Sequence, residues 1–171
     1  MYGSIEVASG LETLGSNNII RKIIITDRVL TVGSTFGYSS AREIYVGDNV
    51  TTIADNAFTD SSLLQKVVIG KSIESIGRNA FKRASNNWIL YIQSETPPNI
   101  SSSIFGVEED ELGGYSPPSK IIVPNNALEA YKQAWGANSK IVSLLDSEAL
   151  ISNLIETVGD INTALEAILG V

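Results

Sequence analysis

Residues 43–88 carry one pattern twice. The stretch EIYVGDNVTTIADNAFTDSSLLQ is followed at once by KVVIGKSIESIGRNAFKRASNNW. Ile44 matches Val67, Val46 matches Ile69, Val50 matches Ile73, Ile53 matches Ile76, and Asn56-Ala57-Phe58 matches Asn79-Ala80-Phe81, every pair at one and the same offset. A unit this short cannot bury its own apolar face and does so only against its neighbours, so a fixed offset of this size predicts a solenoid of stacked coils. Few other architectures tolerate such a repeat.

The pattern extends outward in both directions. Apolar pairs two apart fall at Ile5/Val7, Ile23/Ile25, Ile44/Val46, Val67/Ile69, Leu90/Ile92 and Ile121/Val123. The offset is constant from Ile44 to Leu90, shorter toward the N-terminus and longest between Leu90 and Ile121. Residues two apart share one face of a strand, so these pairs predict about six short parallel strands with a continuous apolar interior. A second ladder follows at Leu11/Leu14, Val29/Val32, Val50/Ile53 and Ile73/Ile76, with Gly15, Gly33 and Gly77 directly after three of them as turn residues. All four phenylalanines, Phe36, Phe58, Phe81 and Phe105, occupy equivalent places, which predicts a stacked aromatic ladder in the core. The first unit is short, with Ile19 and Ile20 where the ring belongs, as expected of a terminal repeat.

The fifth unit departs in the other direction. Residues 94–119 contain two Pro-Pro pairs, a Gly-Gly and the acids Glu108, Glu109, Asp110 and Glu111, and predict a long surface loop. The acids lack the alternation of a calcium loop. From Pro124 the period changes to a helical one. Asn126 and Glu129 form a capping box, and Leu128, Tyr131 and Trp135 recur at helical spacing up to Gly136, predicting a closing helix over 125–136. The repeat domain is thus expected over 1–143.

Residues 146–171 are not a repeat. Asp146 or Ser147 caps a helix of about six turns. Its apolar residues Ile151, Leu154, Val158, Ile161, Leu165 and Ile168 are spaced 3, 4, 3, 4, 3, with Ile155 and Leu169 widening the stripe. That is a heptad seam. Gly159, off the seam, costs about 1 kcal/mol and leaves an isolated helix weak. The stripe suits either a cap laid back on the solenoid or an oligomerisation element; a spacing this regular exceeds what a cap requires, so association is expected. The seam mixes dimer and higher-order preferences, and a trimer is placed ahead of a dimer.

The units IYVGDNVTTIADNAFTDSSLLQ and VVIGKSIESIGRNAFKRASNNW closely resemble the BspA-like leucine-rich repeat, whose pattern runs strand, "IP" or "IG", then "V..IG..AF..C..L". The ending IIVPNNALEAYKQAW is similar to the segment that often finishes such arrays. The resemblance covers roughly residues 4–143. Where the family carries Cys after Ala-Phe, this chain has Ser61 and, in the next unit, Ser85. It implies a leucine-rich-repeat solenoid, mostly β with short helices, plus a C-terminal α-helix. Repeats of this kind occur in bacterial surface proteins and in virion proteins of phages, and the C-terminal helix resembles tails of phage structural proteins.

Chemistry is scarce. The chain has no Cys and no His, which removes disulfides, thiol and imidazole catalysis and most transition-metal sites. Asp27, Asp48, Asp55 and Asp60 flank no nucleophile motif, and Gly70-Lys71-Ser72 lacks the preceding glycine of a phosphate loop. No enzymatic activity and no cofactor are expected. Net charge −7 with twelve scattered Lys and Arg argues against nucleic acid and anionic membranes. The opening residues lack the features of a secretory signal, and no apolar run is long enough to insert in a membrane. At 171 residues, 43% hydrophobic and 18% charged, the chain is one packed body with an appendage. The expected function is a non-enzymatic structural or binding protein: a phage virion fibre or decoration component joined to other virion proteins and displayed for contact with a host surface protein or glycan. The alternative is a bacterial surface adhesin-like or intracellular protein-binding module using the sheet face or the 94–119 loop. Tyr38, Tyr91 and Tyr115 are the candidate contact residues.

Overall fold

A computed structural model describes residues 3–7, by backbone alone, together with 20–101, 103–106, 114, 116–136 and 140–144. The chain runs as a rising coil that contributes one strand to each of two parallel sheets per turn. The large sheet holds β1 (Gly3–Val7), β2 (Ile20–Ile25), β4 (Glu43–Val46), β6 (Lys66–Ile69), β8 (Ile89–Ile92), β10 (Lys120–Val123) and β11 (Ile141–Ser143), in that spatial order. The small one holds β3 (Thr31–Val32), β5 (Thr52–Ile53), β7 (Ser75–Ile76) and β9 (Asn99–Ile100). Every pairing is parallel, and the partners Ile5↔Ile23↔Ile44↔Val67↔Leu90↔Ile121 are those the sequence offsets specify. A parallel ladder needs a connection long enough to return to the start of the strand, and one coil of about twenty residues supplies it.

Inward side chains follow the period of two. Ile23, Ile25, Ile44, Val46, Val67, Ile69, Leu90 and Ile92 are buried, as are Val32, Ile53 and Ile76 of the small sheet. The rings close the third side. Phe36, Phe58 and Phe81 stack with centroids 6.0 and 5.5 Å apart, and Phe105 lies 6.3 Å beyond Phe81. A ring fully buried in this way contributes about 1.5–3 kcal/mol. Phe105 is only half-buried, because Trp88, fully buried, wedges beside it at 6.0 Å and against Phe81 at 5.1 Å. The sequence pattern does not show this tryptophan. Its indole N–H donates to the Ser116 carbonyl at 3.2 Å, and Ser119 donates through backbone and hydroxyl to the Trp88 carbonyl at 2.8 and 2.9 Å. The far end of the long insertion is tied down there.

Several expectations change. Ile20 is the first residue of β2, paired with Gly3, and does not stand in for a ring. The position three after Phe58 is Ser61, and its equivalent three after Phe81 is Ala84, not Ser85. Ser61 and Ala84 are buried whereas Ser85 is half-exposed, and Ser61 shares a hydrogen bond of 3.2 Å with Ser39, the same place one coil earlier. Gly77 has no turn-type backbone; what excludes a side chain is the coil before it, since a Cβ would lie 2.5 Å from the Asp55 backbone nitrogen. Gly70 is held by the same contact, 2.6 Å from Asp48 Cα. A Cβ on Gly33 would meet only Thr35 Oγ1, at an ordinary 3.8 Å. Left-handed backbone is supplied instead by Asn56 and Asn79 (φ 58° and 56°) and by Tyr38, Asp60 and Arg83 (φ 61°, 59° and 53°), which explains the Asn of the repeated Asn-Ala-Phe, since Asn tolerates that region better than most residues.

The span 94–119 is not one excursion. It carries the β9 rung, paired with β7, and the buried Ile104 before Phe105. After Pro124 a 3-10 turn over Asn125–Ala127 leads into α1 (Leu128–Trp135). Asn126 lies inside that turn, so the capping box does not form, and Glu129 instead pairs with Lys132 at 3.0 Å. Helix α1 docks through Tyr131, whose hydroxyl donates to the Ser94 carbonyl at 3.0 Å, and Trp135, whose indole donates to the Pro98 carbonyl at 3.1 Å. Burial pushes the Tyr131 hydroxyl well above its ordinary pKa. The helix does not end the array, because β11 then pairs with β10 as a further strand.

Candidate functional site

Strand alternation sends every second residue of the large sheet outward, and the register aligns these residues across coils. Two rows result. The first, at the strand starts, is Lys22, Glu43, Lys66, Ile89 and Lys120. The second is Ile24, Tyr45, Val68, Tyr91, Ile122 and Val142. Neighbouring strands are about 4.8 Å apart, so the lysines of β2, β6 and β10 follow one another at intervals of about 10 Å, with the tyrosines of β4 and β8 at the same period between them.

The rows are coupled. Lys22 Nζ sits 4.3 Å from the Tyr45 ring centre, and Lys66 Nζ lies between two rings, 5.4 Å from Tyr45 and 5.3 Å from Tyr91. Each ring face attracts the ammonium through its quadrupole. The Tyr45 hydroxyl donates to Glu43 Oε2 at 3.1 Å. Toward the last strands the tyrosines rise over smaller Val68 and Ile122, leaving an open groove of about 560 Å3 lined by Tyr45, Lys66, Val68, Tyr91, Ile122 and Leu144. Leu144, at 46% exposure, is among the most exposed large apolar side chains of the described residues. A mostly apolar, concave lining with a few convergent polar groups is the usual character of a binding site.

Of the tyrosines named from sequence, Tyr91 belongs to this face. Tyr38, 68% exposed, lies on the ridge over the phenylalanine ladder, beside a shallow polar depression formed with Asn56, Asp60, Asn79 and Arg83. There Arg83 Nε pairs with the Asp60 carboxylate of the preceding coil at 2.7 Å. Tyr115 lies outside the described residues, as do Ile151, Leu154, Val158, Ile161, Leu165 and Ile168. Sequence reasoning missed Tyr45 and the lysines. A signal was present: Lys22-Ile23, Lys66-Val67 and Lys120-Ile121 place lysine before the inward residue in three units, and Tyr45 sits between two inward residues as Tyr91 does.

The turn side is polar and self-satisfied. Past the large-sheet strands Asp27 Oδ1 accepts the Asp48 amide at 2.6 Å, and past the small-sheet strands Asp55 Oδ1 accepts the Arg78 amide at 2.7 Å. Lys71 Nζ lies 3.0 Å from Asp48, and that hydrogen bond holds the Asp48 carboxyl below, and the Lys71 ammonium above, their ordinary pKa values. Among the described residues no group of three or more His, Cys, Asp or Glu is placed to hold a metal ion, and no helix is long and apolar enough to cross a membrane.

The two parallel sheets, the one-coil register and the broad outer face define a repeat solenoid of the leucine-rich type. The chain belongs to the BspA type leucine rich repeat family: the model of that repeat region matches residues 12–110 in six copies, more than half of the sequence. Repeats of this family are generally non-enzymatic binding repeats and typical of surface or extracellular proteins. None of the curated proteins compared with the chain matches it.

Proposed function

We propose that this protein is a non-enzymatic binding and display module that meets its partner through the outer face of the large sheet. The observation carrying this is the aligned row Ile24–Tyr45–Val68–Tyr91, which ends at the buried Ile122 and is backed by the lysines of β2, β6 and β10. Tyrosine combines a large contact area with little freedom to lose and is among the residues that dominate contact surfaces, while the lysines supply charge that orients a partner. The seam of residues 146–171 joins copies, a trimer before a dimer, and multiplies the face without new contacts. The finer assignment is to a phage virion fibre or decoration component, held to other virion proteins by the C-terminal helix and turned toward a host protein or glycan. Its support is the family resemblance of the repeats together with the heptad spacing of the tail. The second reading is a bacterial surface adhesin-like module, supported by the same family and the same face.

Sedimentation velocity on the full chain tests the display part: an oligomer is expected that Ile161→Asp reduces to folded monomers, and a monomeric wild-type chain removes it. Mass spectrometry of purified phage particles separates the two assignments, since a virion component is found among the structural proteins and an adhesin is not. For the contact face, labelled chain is expected to adhere to bacterial cells and Tyr45→Ala with Lys22→Glu to abolish adherence at unchanged fold.

A further inference from the structure

The groove on the outer face has a candidate occupant in the chain itself. Leu144, the last described residue, lines it, so residues 145–171 set out from its rim. That segment carries five acids, Asp146, Glu148, Glu156, Asp160 and Glu166, and no Lys or Arg, together with its apolar stripe. The groove offers the complement: apolar Val68, Tyr91 and Ile122 on its floor and walls, and Lys66 at its edge. We infer that the first turns of the C-terminal segment, residues 145–158, dock in cis in this groove, with Leu150, Leu154 or Ile155 against Val68, Tyr91 and Ile122 and with Glu156 paired to Lys66.

The lengths agree. From β11 the groove crosses β10 and β8 to β6, three strand spacings or about 14 Å, and reaches β4 at about 19 Å. A helix leaving Leu144 advances about 18 Å by residue 156, which brings Glu156 to the space between β6 and β4. Lys66 already stands there, between the rings of Tyr45 and Tyr91. Docking this far takes Ile151, Leu154 and Val158 out of the seam and shortens the assembly proposed above to contacts through Ile161, Leu165 and Ile168; the docking itself does not depend on that assembly. It assigns Tyr91 to the chain's own tail and leaves Lys22, Ile24 and Tyr45 as the open part of the face.

Carbodiimide coupling, which joins a carboxylate to an amine only when the two are in contact, tests this on an equal mixture of unlabelled and 15N-labelled full chains. The expected product is a Glu156–Lys66 amide between peptides of the same isotope, lost in Glu156→Gln. Tail acids coupled to no lysine of the outer face overturn the inference, and so does a Glu156–Lys66 link of which about half joins different isotopes once the copies have exchanged, the statistical share for a tail lying on a neighbouring copy. As a second readout, hydrogen exchange of residues 145–156 is expected to speed up about tenfold in Lys66→Glu and to recover in Lys66→Glu with Glu156→Lys. Exchange indifferent to both variants overturns it as well. Sedimentation reads the assembly separately, so a monomer that still forms the Glu156–Lys66 link removes the oligomer and keeps the docking.

Discussion

The coils of β4 and β6 and the coil between β8 and β10 do the same job with different amounts of chain. In the first pair the interval from Ile44 to Val67 recurs unchanged from Val67 to Leu90, and each inward residue and ring finds its counterpart directly above, as Gly47 does in Gly70. In the other, the interval from Leu90 to Ile121 is longer by a third, yet the large sheet continues in register and β9 still pairs with β7. The extra residues leave between rungs. What the stack requires is a small set of inward positions, and connection length is free so long as those positions return to register, because a longer loop adds only slowly to the entropy of closure. Where the insertion enters, however, packing changes: Phe105 is half-exposed and Trp88 takes up the space.

The largest expected effect breaks the regular pair. Phe58→Ala removes a fully buried ring stacked on both sides and is expected to cost about 3–5 kcal/mol in urea unfolding, whereas Phe105→Ala, half-exposed and in the irregular coil, is expected to cost clearly less. Equal costs would mean that the rings are not graded by stacking. Next comes Gly70→Ala, expected to cost about 1–3 kcal/mol because the new methyl meets the Asp48 backbone of the coil before. Gly33→Ala, whose methyl meets only Thr35 Oγ1 at an ordinary contact distance, is expected to leave the midpoint unchanged. Asn79→Ala follows at about 1 kcal/mol, the cost of a left-handed backbone without Asn, and Asn79→Gly is expected to be nearly neutral.

The smallest effect concerns the exposed pair of Asp48 and Lys71. The Asp48 carboxyl is held below its ordinary value by the hydrogen bond from Lys71, so any stabilisation is present above the ordinary carboxylate range and is lost as pH falls through the lower folded value. Both side chains are solvated, and surface pairs contribute little. Asp48→Asn at neutral pH is therefore expected to leave the thermal midpoint where it was, with high salt making no difference. A clear drop would show that the turn side holds the coils together more than the core comparison allows.

Most of the architecture was legible because the same inward residues recur, and their offsets are the strand register itself. What escaped depends on contacts that no single unit displays. Trp88 is buried only because the insertion returns over it through Ser116 and Ser119. Strand β11 has adjacent Ile141 and Val142 in place of a spaced pair, so the period of two is too short to register. The capping box fails because a 3-10 turn intervenes before α1. The proposed contact face is half legible: Tyr91 stands out in the sequence, while Tyr45 and the lysines fall between the inward residues that carry the repeat.

Interchangeability of the coils is tested most directly by lengthening the stack. A second copy of residues 44–66 inserted after Lys66 is expected to yield a folded chain whose urea unfolding stays cooperative, with a midpoint no lower and a steeper denaturant dependence in proportion to the added buried surface. A chain that unfolds in separate steps, or whose midpoint falls sharply, would contradict the claim that each coil rests on its neighbour through equivalent positions.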